Sequence, residues 1–138
     1  MASGQTNNYE LNQWSAEDPV LREEFNRDNK KVDEALAQKI QLERGTYTGN
    51  NTYGKDAPCR LEFSFSPQVV MIALASAANA SNYVIFLRGQ TRYAPLGSPG
   101  GTENGVCSWE ETCVSWYSTT SASTQFNYSA EYSYLAIG

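Results

Sequence analysis

In the first third of the chain, apolar residues recur at a helical interval at Leu21, Phe25, Val32, Leu36 and Ile40, with Asn29 in the one polar place of the series. Arg22, Glu23, Glu24, Arg27, Lys30, Lys31, Asp33 and Glu34 lie off that stripe, so the pattern predicts an amphipathic helix with a narrow apolar face. Ser15 suits the N-cap, Asp18 three residues on can return a bond to it, and Pro19 suits the first turn. The helix is therefore expected to begin between Ser15 and Pro19. Its end is expected at Arg44 and Gly45, a basic residue followed by a glycine fit for the left-handed cap. The mean apolar spacing of about 3.8 residues exceeds that of a heptad, so any supercoil should be weak or right-handed. So thin a stripe makes a helix marginal by itself. It has to pack on its own domain or on copies of itself; self-association is the expectation, with Asn29 setting register and copy number.

Before the helix, residues 1–8 are polar and aperiodic, but Tyr9, Leu11 and Trp14 add three large apolar side chains. Trp14 reads as a staple folded onto the first helical turns. Tyr9 and Leu11 read as a docking element for another protein.

After Gly45 the helical period vanishes, and Thr, Ser, Tyr, Val and Phe dominate between Gly, Asn and Pro. Thr46–Thr48 reads as a short strand, followed by a turn at Gly49-Asn50-Asn51 and a loop to Pro58. Arg60–Ser66 alternates, with Leu61, Phe63 and Phe65 on one face. The run from Val69 to Ala75 is apolar on both faces, as is Tyr83–Leu87; the two should pair as a central hairpin covered above and below. Gly89–Gly105 has no evident strand pattern. Val106–Tyr117 alternates around a bend at Glu110-Glu111, with Trp116 on a core face. Gln125–Asn127 and Tyr132–Ile137 read as two closing strands. Seven or so short strands at regular spacing imply a β-sandwich. The expected class is α+β, with an N-terminal segment and helix over 1–44 and an all-β head over 45–138.

Composition narrows the function. Fifteen acidic residues against ten basic give a net charge of −5 over 138 residues, with no basic block, which argues against nucleic acid as a partner. No run is long enough for membrane insertion, and the N-terminus lacks the basic and apolar regions of a signal peptide. With no histidine and three cysteines at spacings that fit no zinc pattern, neither a metal nor a cofactor is expected. Cys59, Cys107 and Cys113 read as free thiols, although Cys107 and Cys113 could meet across a hairpin.

Two stretches resemble a known group. Leu11, Asn12 and Trp14 ahead of Phe25, Asn26, Asp28 and Asp33 are similar to the N-terminal segment of tail-fibre-like proteins of phages and prophages of Firmicutes. GTYTGNNTYG, PQVVMI and the closing YSYLAIG are similar to the receptor-binding heads of the same proteins. The resemblance implies a homotrimer whose helices form a short stalk. It also implies attachment through the N-terminus to other tail or baseplate proteins of a virion or phage-tail-like particle, and contact of the head with a bacterial surface glycan or protein.

No activated nucleophile is evident, and an enzyme is not expected. Glu103, Glu110 and Glu111 leave a carbohydrate-cleaving pair as a remote third class. A purely structural adaptor or collar protein is the alternative to receptor binding. If a ligand is bound, the long loop and the nearby bend are the expected place, with Arg92, Tyr93, Trp109, Glu110 and Tyr117 as binding residues.

Overall fold

The computed structural model describes residues 1–76, 83–95 and 105–138. The chain divides into two units, Met1–Lys39 and Ile40–Gly138.

In the first unit, β1 (Gly4–Gln5) and β2 (Asn12–Gln13) form an antiparallel hairpin, and α1 (Arg22–Ala37) follows. The helix is shorter than expected at both ends. Ser15 and Asp18 do bond reciprocally, Asp18 N–H to the Ser15 carbonyl and Ser15 N–H to the Asp18 carboxylate at 2.8 Å, but this closes a separate turn. Leu21 holds the N-cap position in extended conformation with no side-chain bond. At the other end Leu42 already belongs to a strand. Gly45, expected as the helix cap, lies mid-strand opposite Tyr134, whose ring occupies the space a Cβ would need. Ile40, expected on the helical stripe, lies beyond the helix and is exposed.

The second unit is built of β3 (Leu42–Thr48), β4 (Cys59–Glu62), β5 (Val69–Leu74), β6 (Tyr83–Leu87), β7 (Arg92–Tyr93), β8 (Gly105–Trp109), β9 (Cys113–Ser118) and β10 (Glu131–Ile137). They form two four-stranded antiparallel sheets, ordered β3-β10-β5-β6 and β4-β9-β8-β7. The class is thus β-rich with one helix. The expected central hairpin is present as β5 and β6, and β8 and β9 flank the expected bend. Gln125–Asn127 is not a strand. It lies in a turn whose Phe126 has φ 57° and is buried, because Trp116 Nε1 donates to the Gln125 carbonyl at 2.7 Å and Tyr47 Oη to the Phe126 carbonyl at 2.6 Å.

One core joins residues of both sheets: Val70, Ile72, Val84, Phe86, Tyr132 and Ala136 from the first, Cys107, Val114 and Trp116 from the second, with Phe63, Phe65 and Phe126 from connections. Gln125 is fully buried and satisfied. Its Oε1 accepts from Gly54 and Ser118 N–H at 2.9 Å each, and its Nε2 donates to the Ala57 carbonyl at 2.7 Å.

The outward residues of the first sheet depart from expectation. The register aligns Leu42, Ile137, Val69 and Leu87 in one row, with Arg44, Leu135, Met71 and Ile85 in the next. The double-sided apolar strands are fully buried on their inner face at Val70, Ile72, Val84 and Phe86, while the outward Val69, Met71 and Ile85 are half-buried. Leu42 is 65% exposed, Leu87 45% and Leu135 36%. The second sheet turns a polar face outward, because Arg92, Val106 and Tyr117 form one row and Ser108, Ser115 and Arg60 the next.

Candidate functional site

Two surfaces carry the candidate residues, one on each unit. On the first, the helix is oriented by carboxylates. Glu24 and Asp28, the buried residues of α1, face the hairpin. The Asp28 carboxylate accepts from the Asn12 backbone N–H at 2.7 Å and from Asn12 Nδ2 at 3.0 Å. Glu24 accepts from Ala2 N–H at 3.1 Å and from Trp14 Nε1 at 3.2 Å. Lys31, one turn further, donates to the Glu10 carbonyl at 2.6 Å. A carboxylate removed from water is tolerable only when donors replace its hydration, and here they come from the strand that precedes the helix.

Because that face is taken by polar contacts, the apolar stripe points away from the hairpin. Leu21 is 43% exposed, Phe25 51%, Val32 39% and Leu36 63%, and Asn29 is exposed beside them. Beside the stripe lies a groove of about 580 Å³ lined by Tyr9, Val32, Ala35, Leu36, Gln38 and Lys39. Tyr9 is thus exposed next to the stripe, while Leu11 and Trp14 are half-buried. The Trp14 indole sits on the helix as expected of a staple, but through a hydrogen bond to Glu24. The Glu24 and Asp28 roles were not legible from the apolar pattern, which placed Glu24 merely off the stripe. The signal available was their i, i+4 spacing on the face opposite to it, together with the Asn12 and Trp14 that precede the helix.

On the second unit the five candidate ligand residues separate. Tyr93, expected in an open loop, lies on β7 and points inward. It is 4% exposed, packs edge-on against Phe86 at 5.1 Å between ring centroids, and donates from Oη to the Thr124 carbonyl at 3.1 Å. Its ring also covers Gly105, where a Cβ would collide with it. Burial pushes its phenol well above the ordinary range. It is a core residue and not a stacking platform. Trp109 is also turned toward the core, with the Arg88 guanidinium over its ring at 5.2 Å. Arg88 in turn donates to the Pro67 and Glu111 carbonyls at 2.7 Å each, fastening the β8–β9 bend. Glu110 is exposed but engaged by a two-pronged pair with Arg60 at 3.0 and 2.9 Å, which lowers its carboxyl pKa and raises that of the guanidinium.

Arg92 and Tyr117 are the two that come together. Both face outward in the row through Val106, two strands apart, a separation of roughly 10 Å. Tyr117 and Val106 border a shallow depression of about 180 Å³ with Lys55, Ser108 and Ser115. Sequence reading missed Lys55, Ser108 and Ser115 because only strand register puts them beside Tyr117. Residues 96–104 of the loop, Glu103 among them, lie outside the described residues.

The sulfurs of Cys59, Cys107 and Cys113 are free thiols. Cys107 stands opposite Trp116, and Cys113 stands next to Glu62, so strand register keeps the two apart. Burial raises the pKa of all three, that of Cys107 to about 11.

Among the described residues no three His, Cys, Asp or Glu side chains gather as a metal site, and no helix is long and apolar enough to cross a membrane. Comparison with protein-family models, with curated proteins and with solved structures finds no match for this chain.

Proposed function

We propose that the chain is a structural protein of a phage virion or phage-tail-like particle, a homotrimeric fibre tip whose helices form a short stalk and whose sheets pack as a sandwich head. The observation that carries the reading is the orientation of α1. Buried carboxylates hold one face to its own hairpin, and the face bearing Leu21, Phe25, Val32 and Leu36 is left in water. An exposed stripe of this kind favours association with other copies, because each large apolar side chain buried contributes about 2 kcal/mol. Tyr9, with Leu11 and Trp14, supplies the segment that attaches to tail or baseplate proteins, and the outward face of the second sheet meets the bacterial surface through Arg92 and Tyr117.

The full-length chain should scatter light as a particle about three times the 15.3 kDa of one chain. Replacing both Val32 and Leu36 by Asp should dissociate it, since each charge brought into the contact costs several kcal/mol, on the order of a lost apolar contact or more. A monomeric wild-type protein at micromolar concentration defeats the reading.

A second reading, a fibre adaptor or collar without a ligand, is favoured by the internal engagement of Tyr93, Trp109 and Glu110, which leaves few side chains for recognition. Screening the full chain on bacterial surface glycans separates the two. Receptor binding predicts retention that Arg92→Ala with Tyr117→Ala reduces about tenfold, roughly 1.4 kcal/mol, while the assembly stays intact.

A further inference from the structure

The depression on the outward face of β4-β9-β8-β7 is built from two sources, strand residues and one turn. The β8–β9 register sets Val106 beside Tyr117 and Ser108 beside Ser115, so a half-buried valine and tyrosine adjoin a pair of serines. The turn that precedes β4 closes the other side with Lys55 and Pro58, leaving a hollow of about 180 Å³. That is room for about six water molecules, which suits a single sugar ring and not a chain of them.

The turn is fixed from below. Gly54 enters it at φ 97°, a left-handed conformation that glycine adopts without strain, and Ala57 N–H donates back to the Gly54 carbonyl at 3.1 Å. The buried Gln125 grips both ends of it, as its Oε1 accepts from Gly54 N–H at 2.9 Å and its Nε2 donates to the Ala57 carbonyl at 2.7 Å. The same Oε1 accepts from Ser118 N–H at the end of β9. The backbone at Lys55 is therefore clamped to the strand that carries Tyr117, and a ligand has little ordering left to induce.

The polar groups around the hollow are unengaged. Among the described residues Lys55 Nζ, Ser108 Oγ and Tyr117 Oη take part in no hydrogen bond or ion pair, and Ser115 Oγ has only a long contact of 3.8 Å with Cys113 Sγ. Glu62 and Glu110, the carboxylates of the same face, are paired with Arg60 at 3.1 and 2.9 Å. They do not neutralise Lys55. A ligand that satisfies the whole hollow has a hydrocarbon face for Tyr117 and Val106, hydroxyls for the two serines and an anionic group for the ammonium.

We propose that the hollow is a subsite for one acidic sugar residue, a pyranose bearing a carboxylate or a phosphate. Its anionic group lies on Lys55, its hydroxyls on Ser108 and Ser115, and its C–H face against Tyr117. The assignment rests on the receptor-binding reading above and names the ligand chemistry of that face. One ring at an exposed lysine binds in about the millimolar range, and several heads joined in one assembly raise the retention through simultaneous contacts.

Ligand-observed NMR of the full chain with glucose, glucuronate and glucose 6-phosphate tests this. At least one of the two charged sugars should bind about tenfold more tightly than glucose, and the tighter of the two tells a carboxylate from a phosphate ligand. Lys55→Met keeps the stem, removes the charge and should bring that sugar down to the level of glucose. Because Lys55 is exposed on a turn held by bonds to Gly54 and Ala57, the variant should assemble as wild type. Ser108→Ala with Ser115→Ala should weaken all three sugars alike. The proposal is overturned by equal binding of the three sugars, by no binding of any at about 10 mM, or by a preference that survives in Lys55→Met. Displacement of the sugar by an equal concentration of inorganic phosphate or N-acetylglutamate also overturns it, since a bare anion or an acidic peptide is then the ligand. Retention of the wild-type chain on bacterial surfaces, measured in parallel, separates the two failures: with retention intact only the subsite falls, and without it the receptor-binding reading falls as well.

Discussion

Single polar residues organise both units. Asp18 is the clearest case. Its Oδ2 accepts from Ser3 N–H at 3.0 Å, Ser3 Oγ at 2.6 Å and Ser15 N–H at 2.8 Å, which together hold its carboxyl down at about 2 against an ordinary 3.8. A depressed carboxyl pKa stabilises the fold above the unfolded value and loses that contribution as pH falls through the folded one. The clasp between Ser3, Ser15 and Asp18 should therefore persist to about pH 4 and be lost toward pH 2. Titration of Asp18 by NMR should give a midpoint near 2 in wild type and a value back toward 3.8 in Ser3→Ala, since the Ser3 side-chain bond is the largest cause. An unmoved midpoint in that variant contradicts the assignment.

At the scale of the element, α1 departs from the usual amphipathic helix. Its inward face runs through Glu24, Asp28, Lys31 and Ala35, and its apolar face is outward. Removing the Asp28 carboxylate should free the β2 strand from the helix, because hydrogen bonds to a charged acceptor contribute about 1.5–3 kcal/mol each. Asp28→Ala should speed amide exchange at Asn12 by roughly thirty-fold or more, corresponding to about 2 kcal/mol. Exchange at the core strand β5 should stay unchanged, since the Asp28 bonds to Asn12 lie within the first unit. Unchanged exchange at Asn12 would show that the hairpin is held by something else.

For the whole molecule, the two sheets expose faces of opposite character, apolar on β3-β10-β5-β6 and polar on β4-β9-β8-β7. In the receptor-binding reading proposed above, the polar face is the side that meets a hydrated surface. Cys59 and Cys107 report on the core between the sheets, and Cys113 on the outer side of β9 beside Ser115. Cys107 and Cys113 are buried and Cys59 half-buried, each with a raised pKa that keeps the reactive thiolate scarce at neutral pH. A thiol reagent should label the native protein slowly and incompletely, and should label all three cysteines once it is denatured without reductant. Protection of any pair under denaturing conditions would reveal a disulfide.

Much of the β architecture was legible from alternation and punctuation. The β5–β6 hairpin, the β8–β9 bend at Glu110-Glu111, the closing strand and the burial of Trp116 follow from residue type and period alone, because those signals are local. The apolar stripe of α1 was legible for the same reason. What only the tertiary structure decided depends on partners distant in the chain. Gly45 became a strand residue because Tyr134, far along the sequence, needs the space above it. Tyr93 went inward because β8 pairs with β7 and sets Gly105 beside it, while the connection after β9 supplies the Thr124 carbonyl. Glu24 and Asp28 became the buried face of the helix because Asn12 and Trp14 supply their donors. The positions of Arg92 and Tyr117 in one row, and of Arg44 and Glu131 on one face, are matters of strand register. Hydrophobic period states that a residue has two possible faces; it is the pairing of strands remote in sequence that selects which residues share one.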